Sequence, residues 1–228
     1  MKHLIILFCV CCAFNTNAQS RKFKMGIALT PCFSHRVLIG SDLVPANIGL
    51  GERGRLAYQG HFFTQYDFNP KLSLQVGLGY ALTGFSSKKT KFIFGTPEPT
   101  APEYGKFLYS HQDIVVPLLL RYHLSTKQNR FYFTWGLIPN VKILRYRIFK
   151  VWYDDGHTEK TRIKDDTAPY LPANISGAIG FGYDFILRKE LHGFIQPIFD
   201  YNLFSITGST AIKRRIYTIG LSMGVILQ

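Results

Sequence analysis

The chain has 228 residues, a formal net charge of +13 and four cysteines, and 46% of it is hydrophobic. It is one domain's worth of residues without a linker or low-complexity tract, which excludes a modular protein. Beyond the N-terminal segment no run approaches the roughly 18 uninterrupted apolar residues that a membrane-spanning helix needs. The basic balance favours anionic partners, although an exported chain has no occasion to meet nucleic acid.

Residues 1–18 read as an export signal. Lys2 and His3 supply the positive start, Leu4 to Phe14 the apolar core, and Thr16-Asn17-Ala18 a small-residue exit before Gln19. Residues 19–228 are then the mature domain. Cleavage removes Cys9, Cys11 and Cys12 and leaves Cys32 alone, so neither a disulfide framework nor a cysteine metal site is expected. Of the charged residues only Lys2 departs, lowering the formal charge from +13 to +12.

Alternation at a period of two predicts eight strands in chain order, near residues 23–33, 55–68, 71–84, 107–124, 130–147, 173–187, 191–204 and 214–227. In the third, Leu72, Leu74, Val76, Leu78, Tyr80 and Leu82 share one face, while Ser73, Gln75, Gly77, Gly79, Ala81 and Thr83 share the other. The sixth sets Ile175, Ile179, Phe181, Tyr183, Phe185 and Leu187 against Ser176, Ala178, Gly180, Gly182 and Asp184. The last sets Tyr217, Ile219, Leu221, Met223, Val225 and Leu227 against Thr218, Gly220, Ser222 and Gly224. Strands of about 11 to 15 residues exceed the usual soluble length and suit a tilted membrane strand.

The links point the same way. Asn69-Pro70-Lys71, Ser125 to Asn129 and Arg188-Lys189-Glu190 are tight turns, whereas 36–54, 85–106, 148–170 and 205–213 are long excursions. Short turns on one side and long loops on the other imply an all-β, eight-stranded, antiparallel up-and-down transmembrane barrel, apolar face to lipid and both termini on the short-turn, periplasmic side. Phe68, Tyr122, Phe131, Tyr132 and Phe185 flank the short turns, where aromatic rings suit a membrane interface. Pro117 and Pro197 each remove a ladder donor, so a bulge or kink is expected at both.

Two stretches carry a family resemblance. Thr218 to Val225 looks like the C-terminal assembly signal of bacterial outer-membrane barrels, although the chain ends in Gln228 where an aromatic is common. Ile114-Val115-Val116-Pro117-Leu118-Leu119-Leu120-Arg121-Tyr122 resembles a strand of the small outer-membrane β-barrel, porin-like family of Bacteroidota. That resemblance implies a barrel in the bacterial outer membrane. It says little about activity, and a subset of the family resembles barrel components of gliding and secretion machinery.

The strand phases send Gln59, Gln65, Asp67, Asp113, Arg121, His123, Asp184, Gln196, Asp200 and Asn202 into the lumen. An eight-stranded barrel has room only for side chains, so Asp67, Asp113, Arg121, Asp184 and Asp200 are expected to form a polar plug, with Asp67, Arg121 and Asp184 near the periplasmic mouth. No histidine has a metal-ligand spacing, and no glycine-rich loop opens a helix. Catalytic, cofactor and metal residues are therefore expected to be none. Segments 36–54, 85–106, 142–170 and 205–215 hold 16 Lys or Arg and nine Asp or Glu. Lys142, Arg145, Arg147, Lys213, Arg214 and Arg215 are expected to form an extracellular rim for lipopolysaccharide phosphates or acidic glycans.

The expectation is thus a monomeric, non-enzymatic structural or surface-interaction protein embedded in outer-membrane lipid. Two other classes stay open. One is an outer-membrane lipid hydrolase or acyltransferase, marked by a Ser or Asp paired with His above the outer aromatic belt. The other is a soluble lipocalin-like barrel, in which the alternation is reversed and the apolar face points inward.

Overall fold

The computed structural model describes residues 22–40, 51–92, 101–127, 129–164, 170–208 and 212–227, so the expected export signal lies outside the described residues. The alternating stretches form β1 (Phe23–Gly40), β2 (Glu52–Asp67), β3 (Leu72–Ser87), β4 (Thr90–Lys91), β5 (Tyr104–Val115), β6 (Leu118–His123), β7 (Arg130–Trp152), β8 (Thr158–Lys164), β9 (Ala173–Arg188), β10 (Leu191–Asn202) and β11 (Ile212–Leu227). All pairings are antiparallel. β1 pairs with β2 along one edge and with β11 along the other, from Met25 opposite Leu227 to Gly40 opposite Ile212, so the sheet closes on itself. Around the ring run β1, β2, β3, β5 continued by β6, β7, β9, β10 and β11, which makes eight staves. β4 and β8 are short additions paired to β5 and β7.

The pleat decides what faces where. On β3, Ser73 and Gln75 are 1% and 2% exposed while Leu78 is 61% exposed. Leu56, Phe62, Ile179 and Ile219 likewise point away from the barrel axis. Grease therefore lies outside, which overturns the soluble barrel with an apolar interior. The lumen is not wholly polar, however. Ala28, Phe63, Phe194 and Ile226 pack together inside it, and Ala81, Val115, Leu119, Ile138 and Ala178 form a second interior cluster.

The prolines divide. The expected strand 107–124 is interrupted at Val116-Pro117, yet the register with β3 is the same on both sides, with Gly79 opposite Val115 and Val76 opposite Leu118. Pro117 lacks an N–H but keeps its carbonyl, which accepts from the Gly77 N–H at 2.9 Å. The result is a gap in the ladder with no bulge. The register shift on this stave falls at Gln112/Asp113, opposite Leu144 and Lys142, leaving Ile143 without a Cα partner there. At Pro197 no bulge forms, because the residue pairs with Leu221 in unbroken register with β11.

Several strands outrun their expected ends. β7 continues to Trp152 and turns back as β8, where a loop over 148–170 was expected. Thr158–Lys164 reads Thr-Glu-Lys-Thr-Arg-Ile-Lys, and six of its seven residues are exposed. Both faces of β8 meet water, so no apolar alternation marks it.

Two described glycines, Gly84 and Gly156, have positive φ, and at Gly84 the space is closed as well. Gly84 has φ +150, and a Cβ there would collide with the carbonyl oxygen of Tyr109 across the ladder to β5. Gly84→Ala is expected to cost roughly 1–3 kcal/mol through backbone strain. A lower urea midpoint for chain refolded into lipid vesicles, read as the heat-modifiable gel shift, checks it.

Candidate functional site

Polar side chains fill the lumen in successive layers. The lowest is built on Arg121 of β6, which is 1% exposed. Its guanidinium donates to Gln65 Oε1 at 3.4 Å, Tyr132 Oη at 2.9 Å and Gln196 Oε1 at 3.4 Å, and it lies 3.7 Å from Asp184. The same group sits over the Tyr132 and Phe194 rings, 4.3 Å and 4.6 Å from their centroids. Asp184 also meets His123 Nε2 at 3.0 Å, and Asp67 accepts from Gln65 at 2.9 Å and pairs with Lys24 at 2.9 Å. Asp67, Arg121 and Asp184 therefore join one network, with Gln65 as the link. Below it, Lys24, Arg130, Asp184 and His192 line a cavity of about 180 Å³ at the short-turn mouth.

Tyr132 belongs to this layer and was expected at the membrane interface. It is fully buried and points inward, in the same phase as Thr134 and Ile138 on β7. The strand phase could have revealed it. Room for its ring comes from Gly182 directly opposite, where a Cβ would overlap the phenol.

Asp113 and Asp200 lie in the middle layer, apart from Arg121. Asp200 accepts from Gln59 Nε2 at 3.0 Å and from Thr218 Oγ1 at 2.9 Å. Both aspartates line a cavity of about 40 Å³, together with Lys142, Asn140, Ser176 and Asn202. That is space for a few waters, not for a solute path. The cavity roof includes Ile206, which has no exposed surface. The segment after β10 folds into the mouth: Leu171 N–H donates to the Ile206 carbonyl at 2.9 Å, and the Asn174 amide donates to the Phe204 and Ser205 carbonyls. A loop over 205–213 was expected to reach outward, and nothing in its sequence signals this inward turn.

The six basic residues expected at the rim divide between two faces. Directly opposed residues of a ladder share a face. Lys142 opposes Asp113, Arg145 opposes His111 and Arg147 opposes Tyr109, so these three share the inner face. The β7 bulge at Ile143 makes this possible, since it shifts the inward phase from even to odd residues. On β11, Lys213 and Arg215 oppose the outward Ile39 and Val37, whereas Arg214 opposes Leu38. Arg215 donates to Tyr201 Oη at 3.3 Å, above the lipid-facing Ile219 and Phe199.

Beyond the ring, the turn between β7 and β8 carries Tyr153, whose hydroxyl donates to Glu159 at 3.0 Å; that carboxylate raises the phenol above its usual range. No group of three or more His, Cys, Asp or Glu among the described residues is placed to hold a metal ion. Cys32 is buried and free.

A closed ring of eight antiparallel staves, apolar outside and polar within, defines a transmembrane β-barrel. The model of the outer membrane protein beta-barrel domain matches residues 17–208, and the chain belongs to that family and resides in the bacterial outer membrane. Similar solved structures include OprG from Pseudomonas aeruginosa, with 14% identity over 89% of this chain and 94% of that one, at a TM-score of 0.45. Neisserial surface protein A shares 11% identity over 90% and 96% at a TM-score of 0.38, and the outer membrane protease OmpT from Escherichia coli 8% over 93% and 99% at 0.47. Among curated proteins none matches the chain.

Proposed function

We propose that the protein is a non-conducting, non-enzymatic barrel of a Bacteroidota-type outer membrane, a monomer that serves as a structural and surface-interaction protein. In this reading its export signal ends at Ala18 and its contacts are with anionic groups of the outer leaflet, lipopolysaccharide phosphates first. The observation that carries it is the filled lumen. The Arg121 network, the small middle cavity and the inturned Ile206 segment succeed one another along the axis, leaving side chains where a pore would hold water. Lys213 and Arg215 on the outer wall, over the tyrosines of β10 and β11, supply charge at the height of lipid headgroups.

Two measurements test the reading. Reconstituted into a planar bilayer, the full chain should give no stable unitary steps; regular openings would remove the non-conducting assignment. Capture of phosphorylated glycolipid from detergent extracts should fall several-fold when Lys213, Arg214 and Arg215 are reversed to Glu. Equal capture by both forms would remove the rim.

A further inference from the structure

The wall of the barrel continues past the membrane on β5, β7 and β8, and its outer face there concentrates cations. Beyond the bulge at Ile143 the outward positions of β7 are even-numbered, so Ile148, Lys150 and Trp152 look outward. Lys150 stands directly opposite Lys106 of β5 on one side and directly opposite Lys160 of β8 on the other. Three lysines thus lie in one row across three neighbouring strands. Arg162, which opposes Ile148, adds a fourth cation on the same face. Aromatic rings hold the heads in place: Lys150 Nζ lies 4.5 Å from the Trp152 centroid, Lys89 Nζ 4.6 Å from the same ring and 4.1 Å from that of Tyr104, and the Arg162 guanidinium 3.8 Å from that of Tyr146.

A ring face positions a cation without cancelling its charge. The neighbouring carboxylates are taken: Glu103 pairs with Lys91 at 3.3 Å, and Glu159, which opposes Val151 on the other face, accepts from Tyr153. Among the described residues no carboxylate pairs with Lys89, Lys106, Lys150, Lys160 or Arg162. Like charges directly opposed in a ladder are destabilising, so the row is a cost to the free protein that a partner of opposite charge relieves. Height decides which partner. From Phe131 to Ile143, both outward and about half-exposed, β7 rises roughly 31 Å at 3.4 Å per residue and a 40° tilt, enough to cross the apolar band. Lys150 is a further seven residues along, roughly 18 Å, and so past a headgroup layer of about 5–8 Å. The row therefore looks sideways into the space above the lipid, where long surface polysaccharides lie, and not down onto headgroup phosphates.

We propose that this face docks a linear acidic polysaccharide, whose carboxylate or sulfate groups meet Lys106, Lys150 and Lys160 in turn while Arg162 and Lys89 flank the row. Neighbouring strands are about 4.8 Å apart, and one pyranose unit advances a chain by a similar step, so successive acidic sugars reach successive lysines. Lysine suits dispersed single charges, whereas a compact phosphate is better met by guanidinium forks. Trp152 and Tyr104 beside the row add ring surface for the C–H faces of sugars, which an acidic peptide lacks. The face is separate from Lys213 and Arg215 on β11 and does not rest on the reading given to them.

The test uses the full chain in discs of zwitterionic phospholipid, held on a sensor surface and exposed to polygalacturonate, sulfated dextran and uncharged dextran at constant ionic strength. Both acidic polymers should bind saturably, and uncharged dextran should not. One exposed ion pair is worth roughly a factor of 1.5 to 5, so Lys106→Gln, Lys150→Gln and Lys160→Gln combined should weaken binding about tenfold. Lys71→Gln, Lys127→Gln and Lys189→Gln combined remove the same charge from exposed positions at the short turns and should leave binding within about twofold. Lys213→Gln with Arg215→Gln should also leave it there while lowering glycolipid capture, which separates this face from the headgroup contacts. Heat-modifiable migration verifies that each variant is folded. Absence of saturable binding by both acidic polymers, equal losses from the two triple variants, binding of uncharged dextran, or preference for polyglutamate or duplex DNA at matched charge overturns the proposal.

Discussion

Arg121→Ala should destabilise the barrel by about 3–5 kcal/mol, the usual cost of removing one member of a buried ion pair. The reason is what stays behind. Asp184, 5% exposed, would keep His123 at 3.0 Å and the more distant Arg130 but lose the guanidinium at 3.7 Å. Tyr132 and Gln196 would retain their mutual bond at 3.0 Å and lose the donor they share. A cavity between the Tyr132 and Phe194 rings would add to the loss. Urea titration of chain refolded into vesicles, followed by gel migration, measures the difference; a change below about 1 kcal/mol would show that the network does not stabilise the fold. Arg121→Ala paired with Asp184→Ala should recover part of the loss, because no unpaired carboxylate then remains buried.

Leu78→Arg should cost about 2–4 kcal/mol, the penalty of a basic side chain near the bilayer midplane of a barrel. Leu78 is six residues beyond Leu72 on β3. At about 3.4 Å per residue and a tilt near 40°, that is roughly 15 Å from the short turn before β3, close to the middle of an apolar band about 25 Å tall. Its side chain is 61% exposed, so in membrane it meets hydrocarbon. Leu124, 50% exposed and next to the following short turn, gives the depth control, since Leu124→Arg should cost only about 0–1 kcal/mol at the interface. Equal penalties at the two positions would contradict the placement of the barrel in the membrane.

The ring was legible because lipid on one side and a narrow lumen on the other impose alternation over the whole spanning length. Leu72 to Leu82 could be assigned to the outside, and Gln65, Asp67, Arg121, Asp184 and Gln196 to the inside, from strand phase alone. What sequence hid falls where that constraint lapses. Above the membrane both faces of Thr158–Lys164 are wet, so β8 left no pattern. The slip at Ile143 changes phase within a basic stretch and brings Lys142, Arg145 and Arg147 together on the inner face, where unbroken alternation would set Lys142 on the face opposite the other two. Ile206 enters the mouth through backbone bonds to Leu171 and Arg214, and backbone donors carry no residue code. Tyr132 was misplaced for a different reason. Its aromatic character suited the interface, and the glycine opposite that makes room for it belongs to another strand.

The seam between β1 and β11 has a consequence for biogenesis. It joins the two ends of the chain, so the hydrogen-bonding groups of Met25 to Gly40 on that side wait until the last stave has been synthesised. Closing so long a loop is entropically slow, and until then both borders of the curled sheet are templates for stray pairing. A polypeptide ending before Ile212 would lack the strand that pairs with β1 and would leave both borders of the curled sheet open.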